Sequence, residues 1–448
     1  MMRCGFADIC VQYAGLDYKK LNIDDLEEIK RVLGSVQPEE LVSQQDHVQF
    51  INLLQKLRSA IADNNKLNGD GFNQWLESSL SVGEDGLYSD KLRFIFELIQ
   101  NVDDCDYEDI GDCRLDIQFN TLEDCIVFTY NELGFKPSDV FAITGIAEKS
   151  KNISPDKMEI GEKGIGFKSV FGVAHSVLIQ SGGFSFKLVK NNFTVPVAQY
   201  NVYTHVNGTR LILYMPRKQV QKIYYEMVAR YCKPDVLANK NPLLFLNKLS
   251  KISFYIDHTL RYLEFNVSRT LPVLVGRNAD IAYEDLVIIS VRLADPQKNL
   301  GKEINKEIKC YRYSKSVIFD HQACVSRYTA NTKFREKKLN LVAVFPHPES
   351  MEEIKTGSLY SFLPTQIRTN VPLMVHAPFK LDASREYVDP QNENKWFTDV
   401  CRALSLFLSE VYCHLSHIVK EYIIGCIPPL NGLFFNTSYQ KAESLERS

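Results

Sequence analysis

An α+β fold follows from three features of this 448-residue sequence. A charged, Leu-rich region of helical period comes first, then a stretch where helices and short strands alternate, then a second mixed block closed by an amphipathic helix. The helical region covers about residues 23–80, and apolar residues recur at helical spacing through Asn22 to Leu33 and His47 to Ile61. Turn-forming Gly, Asp and Asn in 64–72, and again in 81–86, interrupt it and place a first boundary near residue 86. From Leu87 the spacing predicts a helix over 90–103, strands over 115–119 and 125–130, and a helix over 138–144. Strands follow over 176–180, 184–188 and 209–214. The second block runs from about Leu244 to Arg385 and contains the strand-like LVIISVRL and LNLVAVFP, and an amphipathic helix follows over 394–422. The expected division is 1–86, 87–243, 244–390 and 391–448.

Composition narrows the function classes. The chain is 45% hydrophobic and 24% charged, within the range of folded proteins and away from that of disordered ones. Lys and Arg number 52 against 55 Asp and Glu, a net charge of −3, so no whole-chain field draws it to nucleic acid or to an anionic membrane. No apolar run approaches the roughly 18 to 20 residues that span a bilayer. The eleven cysteines include no Cys-x-x-Cys pair and read as free thiols in a reducing cytoplasm. His414 and His417 lie three apart without a neighbouring acid or thiol to complete a metal site, and read as surface or packing residues.

Three motifs carry chemistry. In LRFIFELIQNVDDC, Glu97, Asn101 and Asp104 are spaced four and three apart and share one stripe of a helix, and Leu92, Ile95, Phe96 and Ile99 cover much of the remainder. Such a stripe faces either solvent or a ligand cavity, because buried polar groups need partners. In IGEKGIGFKSVF, Gly161, Gly164 and Gly166 let the backbone approach phosphate oxygens, and the amides of a helix starting at Phe167 supply partial positive charge. Alone, that glycine spacing also describes an ordinary turn. In VNGTRLILYMP, Thr209 opens an alternating strand and can present its hydroxyl to a cavity floor.

Taken in order, the acid–amide–acid helix, the glycine loop and the Gly-Thr strand resemble the motifs of the GHKL ATPases. That superfamily includes gyrase, the ninety-kilodalton heat-shock chaperones, MutL and the sensor histidine kinases. ELIQNVDD, YNELGF, GEKGIGFKSVF, LYSFLPTQ and FKLDASREYVD are similar to its sacsin and NO VEIN branch, over about Leu87 to Val388. The resemblance implies a Bergerat-type ATP-binding α/β sandwich, then a middle or transducer-like α/β domain, with a helical prologue ahead of both.

It also implies roles. Asn101 would coordinate Mg2+ with the phosphates of ATP, Glu97 would orient or deprotonate the attacking water, and Asp104 would support the metal shell or the adenine side. Gly161, Gly164 and Gly166 would wrap the phosphates, Ile165 and Phe167 would belong to the same nucleotide-binding loop, and Lys163 and Lys168 would add charge there or lie solvated. Ser150 and Lys151 would belong to a lid over bound ATP. Many members read adenine with an Asp-x-Gly-x-Gly segment, which here is Tyr130-Asn131-Glu132-Leu133-Gly134. Asn131 offers a side-chain oxygen, while alignment on Gly134 puts Tyr130 at the aspartate's place. Arg385, in a Ser-Arg-Glu context, matches the arginine that reaches the terminal phosphate.

The function implied is an ATPase switch in the cytoplasm, with lid closure, domain docking and ATP-linked homodimerisation. A client protein or effector subunit would read its state, in a chaperone-like role or in bacterial antiviral defence. Two other classes remain. A binding scaffold would hold nucleotide without turnover. A sensor kinase would phosphorylate a histidine upstream, but the one histidine ahead of the motifs, His47, is followed by Val48 where that class has an acid.

Overall fold

The computed structural model describes residues 5–67, 92–145, 166–200, 208–231, 241–257, 260–293, 304–320, 336–351, 356–361, 363–369, 371–379 and 395–418. The fold is α+β and divides into two compact units, one drawn from 1–153, 159–225 and 253–260, the other from 154–158, 226–252 and 261–448.

In the first unit, helices α1 (Phe6–Tyr13), α2 (Ile23–Leu33) and α3 (Gln44–Leu67) form the prologue. Local chemistry sets the ends of α2. The Asn22 side chain accepts from the Asp25 N–H at 2.9 Å, Asp25 accepts back from the Asn22 N–H, and Gly34 caps the far end. Helices α4 (Arg93–Asp103) and α5 (Pro137–Thr144) follow, the latter with Pro at its first turn and Asp139 accepting from the Lys136 N–H at 2.8 Å.

The unit's sheet runs β7 (Lys251–Ile256), β1 (Arg114–Asn120), β2 (Cys125–Tyr130), β6 (Thr209–Tyr214), β3 (Ser176–Ser181), β4 (Phe184–Val189), β5 (Asn192–Ala198), antiparallel from β1 to β5. Alternation sends Ile117, Phe119, Phe128, Ile179 and Leu211 into the core, where Phe94 of α4 meets Phe128 edge-on. Spacing alone does not predict β5, because Asn192 and Pro196 break its pattern. Pro196 is tolerated because β5 ends the strand order.

The prologue is part of this unit. Helix α3 packs on β4 and β5, and Phe50 lies against Phe184. Buried Arg58 donates to the Phe141 carbonyl of α5 at 2.9 Å and covers the Phe141 ring. The boundary expected near residue 86 lies outside the described residues. Helix α6 (Arg217–Tyr231) contributes Val220, Ile223 and Tyr224 to the core.

In the second unit the order is β14 (Leu363–Arg368), β13 (Ser358–Ser361), β15 (Met374–His376), β12 (Glu336–Pro346), β11 (Ile304–Asp320), β10 (Ile281–Leu293), β8 (Leu260–Arg269), with β9 (Val273–Val275) also on β10. All these pairings are antiparallel except β13 with β15. Tyr313, Leu341, Phe345 and Val375 on one face meet Val400, Leu404, Phe407, Val411 and Leu415 of α7 (Lys395–Ile418). The helix expected over 394–422 is therefore core rather than a separate tail. His414 is half-buried on it, edge-on to Tyr283 with its Nδ1 3.2 Å from the Tyr313 hydroxyl, which is a packing role. Every described cysteine is a free thiol, and no described helix is long and apolar enough to cross a membrane.

Candidate functional site

The register of the first unit brings three strand ends into one row. Tyr130 at the end of β2 pairs with Thr209 at the start of β6, which pairs with Ser181 at the end of β3. Two residues past Tyr130 the chain places Glu132, only 7% exposed, onto this row. A directed set of hydrogen bonds holds it. The Phe135 N–H donates to Ser181 Oγ at 2.7 Å, and Ser181 Oγ lies within hydrogen-bond reach of Thr209 Oγ1. Thr209 donates to Glu132 Oε1, and the Gly134 N–H donates to Oε2 at 2.7 Å. Ser181 also lies 3.4 Å from Oε1.

Burial raises the Glu132 carboxyl above its ordinary range, while Thr209, the Gly134 N–H and Ser181 pull it back by donating to the charged form. The result is an acceptor with its oxygens aimed by neutral donors. Gly134 has φ +92°, and a Cβ there would come 2.8 Å from Gly182 Cα, so this tight approach requires glycine at the sequence-flagged position.

Helix α4 is buried almost all round. Glu97 is 6% exposed, Gln100 and Asp103 are buried, and Asn101 and Asp104 are half-buried. Of the two readings of the polar stripe, the solvent-facing one does not hold at Glu97. The segment after the helix folds back toward the Glu132 row. Leu133 N–H donates to the Asp106 carbonyl at 2.9 Å, and the Tyr107 hydroxyl donates to the Val102 carbonyl at 2.8 Å. Burial and then nearby Cys105, Cys113, Asp103 and Glu132 push the Tyr107 phenol far up, so it stays a neutral donor.

The 3-10 helix Gly166–Gly172, which holds Gly166 and Phe167, packs on α4. Lys168 in it is buried rather than solvated. Its Nζ donates to the carbonyls of Ile143 in α5 at 2.5 Å and Phe193 in β5 at 3.0 Å, which ties three elements together.

Two further residues take structural places. Asn131 Oδ1 accepts from the Arg114 N–H at 2.8 Å and its amide donates to the Asp112 carbonyl at 2.6 Å, so the oxygen offered to adenine already fastens the start of β1. Tyr130 is buried, its phenol raised well above the usual range by burial and then by Cys105, Glu132 and Tyr107. Ser150, Lys151, Gly161, Lys163, Gly164, Ile165 and Arg385 lie outside the described residues. Sequence reasoning passed over Glu132 and Ser181. The available signal was an acid just past the apolar strand CIVFTY and two residues ahead of a glycine.

These features define a mixed α+β protein with a buried carboxylate held by hydroxyls and backbone amides at the ends of its strands. No protein-family model matches the chain. It is similar to Protein NO VEIN of Arabidopsis thaliana, 42% identical over 101 residues, which is 22% of this chain and 4% of that protein.

Proposed function

We propose that the first unit is a GHKL-type, Bergerat-fold Mg-ATP site, and that the chain is an ATPase switch whose second unit is the middle or transducer-like domain. The observation that carries this reading is the Glu132 acceptor. A carboxylate surrounded by donors cannot donate itself, so it accepts from an exocyclic base amine such as that of adenine. Glu132, with Thr209 and Ser181 behind it, takes the part assigned in sequence to Asn131 or Tyr130. The likeness to NO VEIN supports the same reading, since the motifs resemble that branch.

On α4, buried Glu97 is the group that would take a proton from the attacking water, and half-buried Asn101 offers one amide oxygen. A single hard-oxygen donor fits Mg2+, which takes its other ligands from phosphates and water and would neutralise phosphate charge when bound. Arg385 is proposed to meet the terminal phosphate, and Ser150 and Lys151 to lie in the lid. ATP-linked dimerisation and recognition by a client or effector complete the switch.

Steady-state turnover tests it. Glu97→Ala should lower ATP hydrolysis by about 10²- to 10⁴-fold with ATP binding retained. Binding without turnover in the parent protein would replace the switch by the nucleotide-holding scaffold, which Tyr130 at the usual aspartate position favours.

A further inference from the structure

Ser181 is the last residue of β3, paired with Thr209 and, across the turn into β4, with Phe184. Gly182 and Gly183 make that turn at φ +53° and +86°, a two-glycine stretch without side chains to pack. Neighbours abut it from outside on two sides. On one, Gly182 closes on Gly134 and Phe135. On the other, α3 brings His47 against Gly183, where a Cβ would come 2.7 Å from Nε2.

The imidazole is itself well held. Its ring stands edge-on to Phe184, centroids 4.7 Å apart at 74°, and Nδ1 lies 2.8 Å from the Ser43 carbonyl oxygen. A carbonyl only accepts, so Nδ1 is the donor in this contact, and Nε2 is the ring atom nearest a Cβ placed at Gly183. Neighbouring Asp46 is engaged by the Ser43 N–H and hydroxyl at 2.7 and 2.8 Å.

We infer that His47 is a positioning residue for the Glu132 acceptor. The ring wedges the Gly182–Gly183 turn against Gly134 and thereby holds the Ser181 hydroxyl between the Phe135 N–H and Thr209. Hydrogen bonding to a base then depends on the helical prologue, outside every nucleotide motif in the sequence. The histidine that a sensor kinase would phosphorylate becomes instead a wedge behind the base-reading acid. Only the nucleotide arm of the test rests on the function proposed above.

The direct readout needs no ligand. Amide hydrogen exchange at Gly134 and Phe135, whose N–H groups bond to Glu132 and Ser181, should quicken by about tenfold or more in His47→Ala, with β10 and β11 unchanged. His47→Phe, which restores a ring against Phe184, should return it toward the parent rate. Where His47→Ala does not fold, His47→Gln takes its place. Gly183→Ala supplies a second check: its added methyl meets the imidazole, so its effect on exchange should be smaller in the His47→Ala background. Unchanged exchange at both amides, or strictly additive effects, overturns the inference. In the nucleotide arm, ATP affinity should fall by about tenfold in His47→Ala and recover in His47→Phe, and an unchanged affinity also overturns it. A parent protein that does not bind ATP refutes the ATP site, while the exchange measurements still decide the place of His47.

Discussion

Glu132 in the first unit and Glu284 in the second are equally buried, each 7% exposed, yet they are built for opposite ends. Glu284 sits mid-strand on β10, directly opposite Arg312 of β11, and the guanidinium donates to it at 3.2 Å. His376 shares this neighbourhood as a neutral ring, its pKa driven down to about 3 by burial first and the Arg312 charge second. That cluster is closed: acid and base cancel. Glu132 sits past a strand end, and among the described residues its partners are two hydroxyls and a backbone N–H, none of them charged. A buried acid answered by a cation is architecture. One answered by neutral donors alone is, on the function proposed here, the acceptor for an incoming amine.

Mutation can sharpen that contrast. The largest effect belongs to Arg312→Leu, which strands the Glu284 carboxylate and should lower unfolding stability by about 3–5 kcal/mol in denaturant melts. The double variant with Glu284→Leu should recover most of it, because a paired charge replaced by apolar groups is nearly neutral. A double variant as unstable as the single one would show that the cluster is more than a cancelling pair.

Glu132→Gln should behave in the opposite way. Stability should change little, whereas ATP binding should weaken by about 10- to 100-fold, the worth of a hydrogen bond to a charged group. Because the Glu132 carboxyl is raised above 4.5, it protonates at a higher pH than a free glutamate. Parent binding should therefore fall as the pH drops through that raised value, and Glu132→Gln should lose this dependence. Calorimetric titration across the acid range reads both.

The last prediction concerns His376. Unfolded, the ring takes up a proton near pH 6.5, but folded it resists down to about 3. The unfolded state thus binds more protons between these values, and stability should decline as pH falls through that window, by at most about 1.4 kcal/mol per pH unit. His376→Phe should flatten this slope in melts at stepped pH.

Much of this was legible in the sequence, and the misses have physical causes. Periodicity located β1, β2, β3, β4, β6 and α4, because their buried faces repeat at 2 or 3.6 residues. It missed β5, whose proline and asparagine are admitted only by its place at the end of the strand order. The spacing of Glu97, Asn101 and Asp104 identified the polar stripe, but only packing shows that α4 is buried on nearly every side. Thr209 could be read as a hydroxyl aimed at a floor. Its acceptor could not, since Glu132 and Thr209 are 77 residues apart and meet only through the β2–β6 register. Lys168, two residues past a phosphate-like glycine run, could be read as adding charge at the phosphates or as solvated, and its Nζ instead donates to the carbonyls of Ile143 and Phe193, because only the fold reveals what a long side chain can reach.

The helix Lys395–Ile418 has a practical corollary for anyone trimming the chain. A protein cut near residue 390, where the sequence suggests a boundary, would lose the roof over Tyr313, Phe345 and Leu341 and present a broad apolar sheet to water. Such a fragment should aggregate on expression, and proteolysis between 379 and 395 should act less as a trim than as an inactivating cut.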